Sequence, residues 1–324
     1  RLEQEIVLGM GGVRALAEMG LQPTVWHINE GHAAFLILER MRALVQAGMP
    51  FSAALETVAS NTVFTTHTPV PAGIDRFDKD LISQYFATDV VLPGVPVDRI
   101  LALGAESYAE GDPNVFNMAV MGFRLSQRAN GVSLLHGRVS REMFNGLWPA
   151  FDEAEVPISS ITNGVHGPTW VGREVFSLAA QYGFDPEEVS DHSWDAVDKV
   201  PAHELWATKR VLRERLVLDA RARLRRSWIN RGAAALELGW VDDALDPDVL
   251  TIGFARRVPS YKRLTLMLRD PERLRGLLLH PQRPIQLVIA GKAHPADQPG
   301  QEIIRRIAHW AKQPEFEGRI LLVE

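Results

Sequence analysis

From Pro247 onward the sequence repeats one rhythm, and that rhythm narrows the possible folds more than anything else in the chain. Near-continuous apolar strands at 249–254, 285–290 and 319–323 alternate with helical periods at 264–279 and 301–311. Strands that are apolar on both faces and separated by helices predict a parallel sheet covered on both sides, an α/β fold. Neither GxGxxG nor GxxxxGK[ST] occurs in this part, so it lacks the dinucleotide and P-loop fingerprints.

Between the first strand and the first helix of this series runs TIGFARRVPSYKR, residues 251–263, which places Arg256, Arg257, Lys262 and Arg263 where a strand hands over to a helix. In an open parallel sheet ligands bind outside the carboxyl ends of the strands. Guanidinium groups there would hold a phosphate through bidentate, charge-assisted hydrogen bonds, and a lysine would add a point charge. The same spacing fits a solvated basic turn.

The 324-residue chain is long enough for two domains. With 46% hydrophobic and 23% charged residues it has the composition of an ordinary globular protein, and its net charge of -5 argues against a nucleic-acid binder with a basic overall field. Cysteine is absent, which excludes disulfides, thiolate metal sites and cysteine nucleophiles. No apolar run reaches the roughly 18 residues of a membrane span; no membrane partner is expected, and the cytoplasm is the default compartment. The sequence opens on Arg1 inside a helical pattern and stops in an apolar strand. It therefore reads as an internal segment of something longer.

Taken in order, the chain opens with a helical pattern broken at Gly11-Gly12 and ended at Gly20, followed by a strand at 24–28 and a helix at 30–46 capped by Asn29. His27, Glu30 and His32 lie in HINEGH, whose histidines are five apart. They do not share a helix face as the pair of HExxH does, so hydrogen-bonded histidines are expected there and no metal. A helix at 51–60 leads to a β-branched strand at 62–66, which delivers His67 into the rigid loop THTPVPAG. In that loop a neutral imidazole can donate to a substrate hydroxyl. Helices follow at 80–86, 98–103 and 117–126. Asn130-Gly131 reads as a turn before a helix through Leu134, Leu135, Val139 and Met143, and a strand at 157–162 ends in Asn163-Gly164. Helices punctuated by prolines fill 167–245. The longest, at 202–231, carries Leu205, Leu212, Leu216, Leu224 and Trp228 as its expected buried stripe.

With VFTTHTPVPAG, RANGVSLLHGRV, TNGVHGPTW and GFARRVPSYKR in this order, the whole sequence resembles the α-glucan (glycogen, starch, maltodextrin) phosphorylases, in particular their bacterial branch. The resemblance implies two Rossmann-like domains facing a cleft, both truncated here. Residues 1–166 would be the C-terminal part of the first catalytic domain, 167–247 a helical connector and 248–324 the start of the second domain, for the cofactor and phosphate. It implies pyridoxal phosphate as cofactor and α-1,4-glucan and inorganic phosphate as partners, with glucose 1-phosphate released with retention. A homodimer is the candidate assembly of the full-length protein. By motif, His67 and Asn163 would meet the hydroxymethyl end of the reacting glucose and Tyr261 would contact the sugar. Arg257 and Lys262 would bind the substrate phosphate and act in catalysis, and Arg256 and Trp170 would lie by the cofactor.

Two departures stand out: Arg256 takes a place where many relatives have lysine, and Pro259-Ser260 replaces a commoner His-Glu pair. The family's glycine-rich loop is expected before Arg1 and its cofactor lysine after Glu324, so the 324 residues alone are expected to be inactive. The loops carry no carboxylate pair such as a retaining glycosidase needs; the resemblance implies that substrate phosphate protonates the leaving oxygen instead. Two alternatives remain, a nucleotide-sugar-dependent glycogen or starch synthase-like glycosyltransferase and a non-catalytic α/β binding module.

Overall fold

A computed structural model of the chain describes all residues except 88–92, 94, 185–194, 196–197, 257, 259–262, 294–296 and 324. The protein forms two compact units, Arg1–Gly164 and Val165–Glu324. Among the described residues no helix is long and apolar enough to cross a membrane.

The first unit is built on a four-stranded sheet. Its strands are β1 (Trp26–Asn29), β2 (Thr62–Thr66), β5 (Arg128–Gly131) and β6 (Ile158–Ser160), in the order β1-β2-β5-β6 and all parallel. Between β2 and β5 in sequence, β3 (Arg76–Asp78) and β4 (Val115–Asn117) form a separate antiparallel ribbon. The core gathers Ile28, Phe35, Phe64 and Phe116, none of them accessible to solvent. Phe64 meets Phe123 edge to face with ring centroids 4.7 Å apart, a favoured aromatic geometry.

The sequence placed β1, β2 and β6 but took Asn130-Gly131 for a turn. In the structure these two residues end a strand whose last three positions are buried. RANG has one apolar side chain, so no hydrophobic pattern marks it. Its small residues are required by packing: a Cβ at Gly131 would lie 2.8 Å from both the Gly137 nitrogen and His136 Nδ1, on the helix Leu134–Phe144. Two helix boundaries also differ from expectation. The opening helix does not break at Gly11-Gly12 but runs through a π turn, Val7–Gly11, into Gly12–Glu18. The helix expected from residue 30 starts at Leu36, after a 3-10 turn at Gly31–Ala33 whose N-cap is Glu30.

The second unit carries β7 (Leu250–Ala255), β8 (Ile285–Ala290) and β9 (Ile320–Val323), in sequence order and parallel. Alternate residues of β8 enter different cores. Leu287 and Ile289 pack with Leu274, Leu278, Ile303 and Ile307 of the helices Pro271–Leu278 and Gln298–Ala311, whereas Val288 packs with Val217, Ala220 and Leu224 of the helix Ala202–Asn230. The sheet is thus covered on both faces, the α/β arrangement that the apolar strand pattern predicts. Residues 167–247 contribute the long helix to this unit.

Three local expectations are corrected here. β7, read as buried, has Leu250 48% and Ile252 45% exposed, since neither side chain joins the cores on the two faces of the sheet. The single helix expected at 264–279 is a 3-10 turn, Leu264–Leu268, followed by a helix that Asp270 caps and Pro271 opens. The buried stripe of the long helix is Arg213, Val217, Ala220 and Leu224, while Leu205, Leu216 and Trp228 are exposed. A leucine count misses this stripe because arginine occupies one of its positions. Arg213 lays its guanidinium 4.2 Å from the centroid of the Trp206 ring and donates through Nε to the Pro247 carbonyl at 2.9 Å, so its polar end keeps a ring and a carbonyl as partners while its stem packs.

Candidate active site

Because β1, β2, β5 and β6 are parallel, their carboxyl ends share one edge of the first sheet, the edge where α/β proteins bind ligands. Asn29 ends β1, and Glu30, His67, Val132 and Asn163 follow the four strand ends in the chain. His67 leaves β2 exposed, with its ring Nε2 against Asn29 Oδ1. If Asn29 accepts this bond, Nε2 carries the proton, and a neutral His67 offers Nδ1 as an acceptor for a hydroxyl rather than the expected donor. The Asn163 amide donates to the Val132 carbonyl at 3.2 Å, which ties its loop to the end of β5; the side chain stays exposed. The structure thus brings His67 and Asn163 to the same sheet edge.

Glu30, which the sequence reading left in a helix start, holds this edge together. It has φ 70° and ψ 169°, a region that only glycine takes without steric cost. Its side chain is buried and accepts three hydrogen bonds: Oε2 from the His67 amide at 2.7 Å and from Thr68 Oγ1 at 2.8 Å, and Oε1 from the Gly31 amide at 3.2 Å. Its own amide donates to the Thr65 carbonyl at 2.8 Å. One signal was present in the sequence, an acid beside glycine at a strand end, but nothing in it announces a positive φ.

Beneath these loops a polar ladder crosses the sheet. Thr65 Oγ1 donates to Asn130 Oδ1 at 3.0 Å and stands 2.7 Å from His27 Nε2. With its proton committed to Asn130, Thr65 can only accept from His27, so His27 carries its proton on Nε2. The three residues of the HINEGH run therefore part ways: His27 joins Thr65, Glu30 the His67 loop, and His32 Nδ1 bonds Asp75 at 2.6 Å.

His32 and Asp75 lie with Glu5, and ligand-type atoms of the three are within 4.8 Å of one another. The Arg1 guanidinium stands among them, 3.1 Å from Glu5 and 2.6 Å from Asp75, and so already supplies a positive charge to the two acids. Burial, with the nearby Asp75 carboxylate second, pushes the Glu5 carboxyl up to about 7 against the opposing pull of Arg1.

In the second unit the exits of β7 and β8 lie side by side. The Arg256 amide donates to the Ala290 carbonyl at 3.0 Å, and the Val258 amide to that of Lys292 at 3.3 Å. Any Cβ at Gly291 would collide with the Arg256 carbonyl oxygen, so glycine alone permits this approach. The Arg256 side chain is exposed and has no carboxylate partner among the described residues. Trp170, at the end of the short helix Gly167–Trp170, is 76% exposed. Arg257, Tyr261 and Lys262, the remaining residues expected in this site, lie outside the described residues. A cavity of about 990 Å³ in the same unit touches Gly291 and Lys292 and is walled by apolar Trp228, Trp240 and Ile304 together with the charged Arg231 and Lys312.

The fold defines an α/β protein whose two parallel sheets carry polar residues at their strand exits. No protein-family model matches the chain. Along its whole length, however, the chain is a homologue of the α-glucan phosphorylases. It is 54% identical to the glycogen phosphorylase of Mycobacterium tuberculosis (strain CDC 1551 / Oshkosh), over 99% of the chain and 38% of that protein. It is 39% identical to the maltodextrin phosphorylase of Thermococcus litoralis, over 100% of the chain and 38% of the relative. Identity to the glycogen phosphorylase of Aquifex aeolicus is also 39%, over 100% of the chain and 46% of that protein. The chain thus spans between 38% and 46% of the length of these relatives.

Proposed function

We propose that this chain is part of an α-1,4-glucan phosphorylase, a glycosyltransferase that releases glucose 1-phosphate from the non-reducing end of glycogen or maltodextrin with inorganic phosphate. The observation that carries the reading is the 54% identity to a glycogen phosphorylase over 99% of the chain. The geometry supports it. His67 and Asn163 are exposed polar groups on one sheet edge, placed to take the hydroxymethyl end of a glucose unit. Arg256 stands at a strand exit without a carboxylate partner among the described residues, as a group for phosphate would.

Each residue then has a task. His67, held by Asn29 and Glu30, orients the sugar hydroxyl together with Asn163, and Tyr261 adds a sugar contact. Arg257 and Lys262 bind the substrate phosphate, which itself donates the proton on which bond cleavage depends. Fixed cations also stabilise charge that moves in the transition state without reorganising. The residues fit pyridoxal phosphate: Arg256 offers an exposed guanidinium, without a carboxylate partner among the described residues, for its phosphate, Trp170 offers an exposed ring face, and Gly291 lets the two strand exits close together. When bound, that cofactor would supply a phosphate group able to act as acid and base. The cytoplasm is the proposed compartment.

The test is phosphate-dependent release of glucose 1-phosphate from maltodextrin and glycogen by the full-length gene product loaded with pyridoxal phosphate. Release is expected. Glucan extension from a nucleotide sugar, with no phosphorolysis, would replace this reading with a synthase.

A further inference from the structure

We propose that Glu30 is a positioning residue for the sugar end of the site: its carboxylate and its strained backbone together set the course of the His67 loop. The inference deepens the phosphorolysis reading and rests on it. Four observations converge on this one side chain. It is buried, although it follows an outer strand of the sheet. Both carboxylate oxygens are used, and two of the three donors are the His67 amide and the Thr68 hydroxyl. No salt bridge to Lys, Arg or His accompanies it among the described residues. Its backbone adopts φ 70°, ψ 169° where the next residue, Gly31, would take such a conformation freely.

A residue kept in this conformation needs a reason, because glycine would remove the steric cost at once. The side-chain contacts supply it. With its backbone turned this way, Glu30 sends its carboxylate across to β2 and grips the first two residues of the loop. Neighbouring Asn29 contacts the His67 ring from the same turn. The strained residue and its neighbour therefore hold His67 at two points, one on the backbone and one on the imidazole. The Glu30 bond goes to the backbone amide of the residue that carries the imidazole, so a change in that bond moves the ring with the chain.

The role separates from simple stabilisation in a double-mutant cycle on the full-length gene product. Glu30→Gln keeps the size of the side chain but removes its charge and turns one of its two accepting oxygens into a donor, so that it can no longer serve the His67 amide, Thr68 Oγ1 and the Gly31 amide together. It should lower kcat about 10²-fold, the scale of a misplacement near 1 Å, with a small change in Tm. Added to His67→Ala, it should lower kcat further by less than about threefold, since the group it positions is already gone. Glu30→Gly, which relieves the backbone but removes the clamp, should also lose activity. Equal fold-losses from Glu30→Gln with and without His67, or full activity in Glu30→Gly, would overturn the role. Hydrogen exchange at the His67 amide gives a readout that does not depend on turnover. Glu30→Gln should speed it about tenfold, because a hydrogen bond to a charged group is lost, and unchanged exchange would refute the clamp. If the wild type releases no glucose 1-phosphate, the phosphorolysis reading fails, while the exchange rate still decides whether Glu30 holds the loop.

Discussion

The two strand exits are secured in opposite ways. At the end of β2 the His67 loop is held by side chains, through the Glu30 carboxylate and the Asn29 amide, with the Thr65 and Asn130 ladder beneath. At the end of β7 the backbone does the holding. Arg256 and Val258 bond the exit of β8, Gly291 allows the contact, and the Arg256 side chain remains exposed. The difference suits the proposed ligands. A sugar is read by the direction of hydroxyl groups, so the reader must be fixed from several sides. A phosphate is bound by charge, and cations on a firm backbone can meet it with little side-chain organisation beforehand.

The comparison can be broken most forcefully at Gly291. Gly291→Ala adds a methyl group that meets the Arg256 carbonyl, and overpacking of backbone against backbone should cost about 3 kcal/mol, read as a fall in Tm together with loss of phosphorolysis. Next in size, Arg257→Ala should raise the KM for phosphate about 10²-fold, on the order of a lost hydrogen bond to a charged group, and barely change that for glucan. Equal rises in both would remove the contrast between the exits. Asn29→Ala at the other exit should do the reverse, lowering kcat/KM for glucan about tenfold through a loosened imidazole and leaving the phosphate KM in place.

The smallest effect concerns pH. Glu5, whose carboxyl is pushed up to about 7 in the folded protein, keeps its proton between its ordinary value and about 7 while the unfolded chain loses it. Folding stability should therefore fall as pH rises through that window. Glu5→Gln should remove the slope and leave the variant about 1 kcal/mol more stable than the wild type above pH 7, measured by urea unfolding at pH 5 and pH 8. A wild type whose stability is flat over that range would show that Arg1 neutralises Glu5 completely.

What the sequence disclosed follows the same division. β-branched residues announced β2, and apolar runs announced β8 and the double covering of the second sheet, because burial on both faces leaves a direct mark on composition. The loop after β2 was legible from its prolines, and the cations after β7 from their charge. β5 was not legible, since its small buried residues answer to the close approach of Gly131 to His136 and Gly137, a tertiary fact with no local periodicity. Glu30 was hidden for a related reason: its importance lies in a positive φ and in partners 37 and 38 residues away. The stripe of the long helix misled a leucine count because Arg213 buries its stem there.

One last consequence belongs to β8. Its odd and even residues feed two separate cores, so sliding the strand by a single step would exchange the two sets of side chains. The same step would bring Ala290 or Lys292 to the place where only glycine clears the Arg256 carbonyl. The tight exit thus acts as a proofreader of strand alignment: a misthreaded sheet cannot close there, and the exit that would present Arg256 to a phosphate forms only on a correctly assembled one.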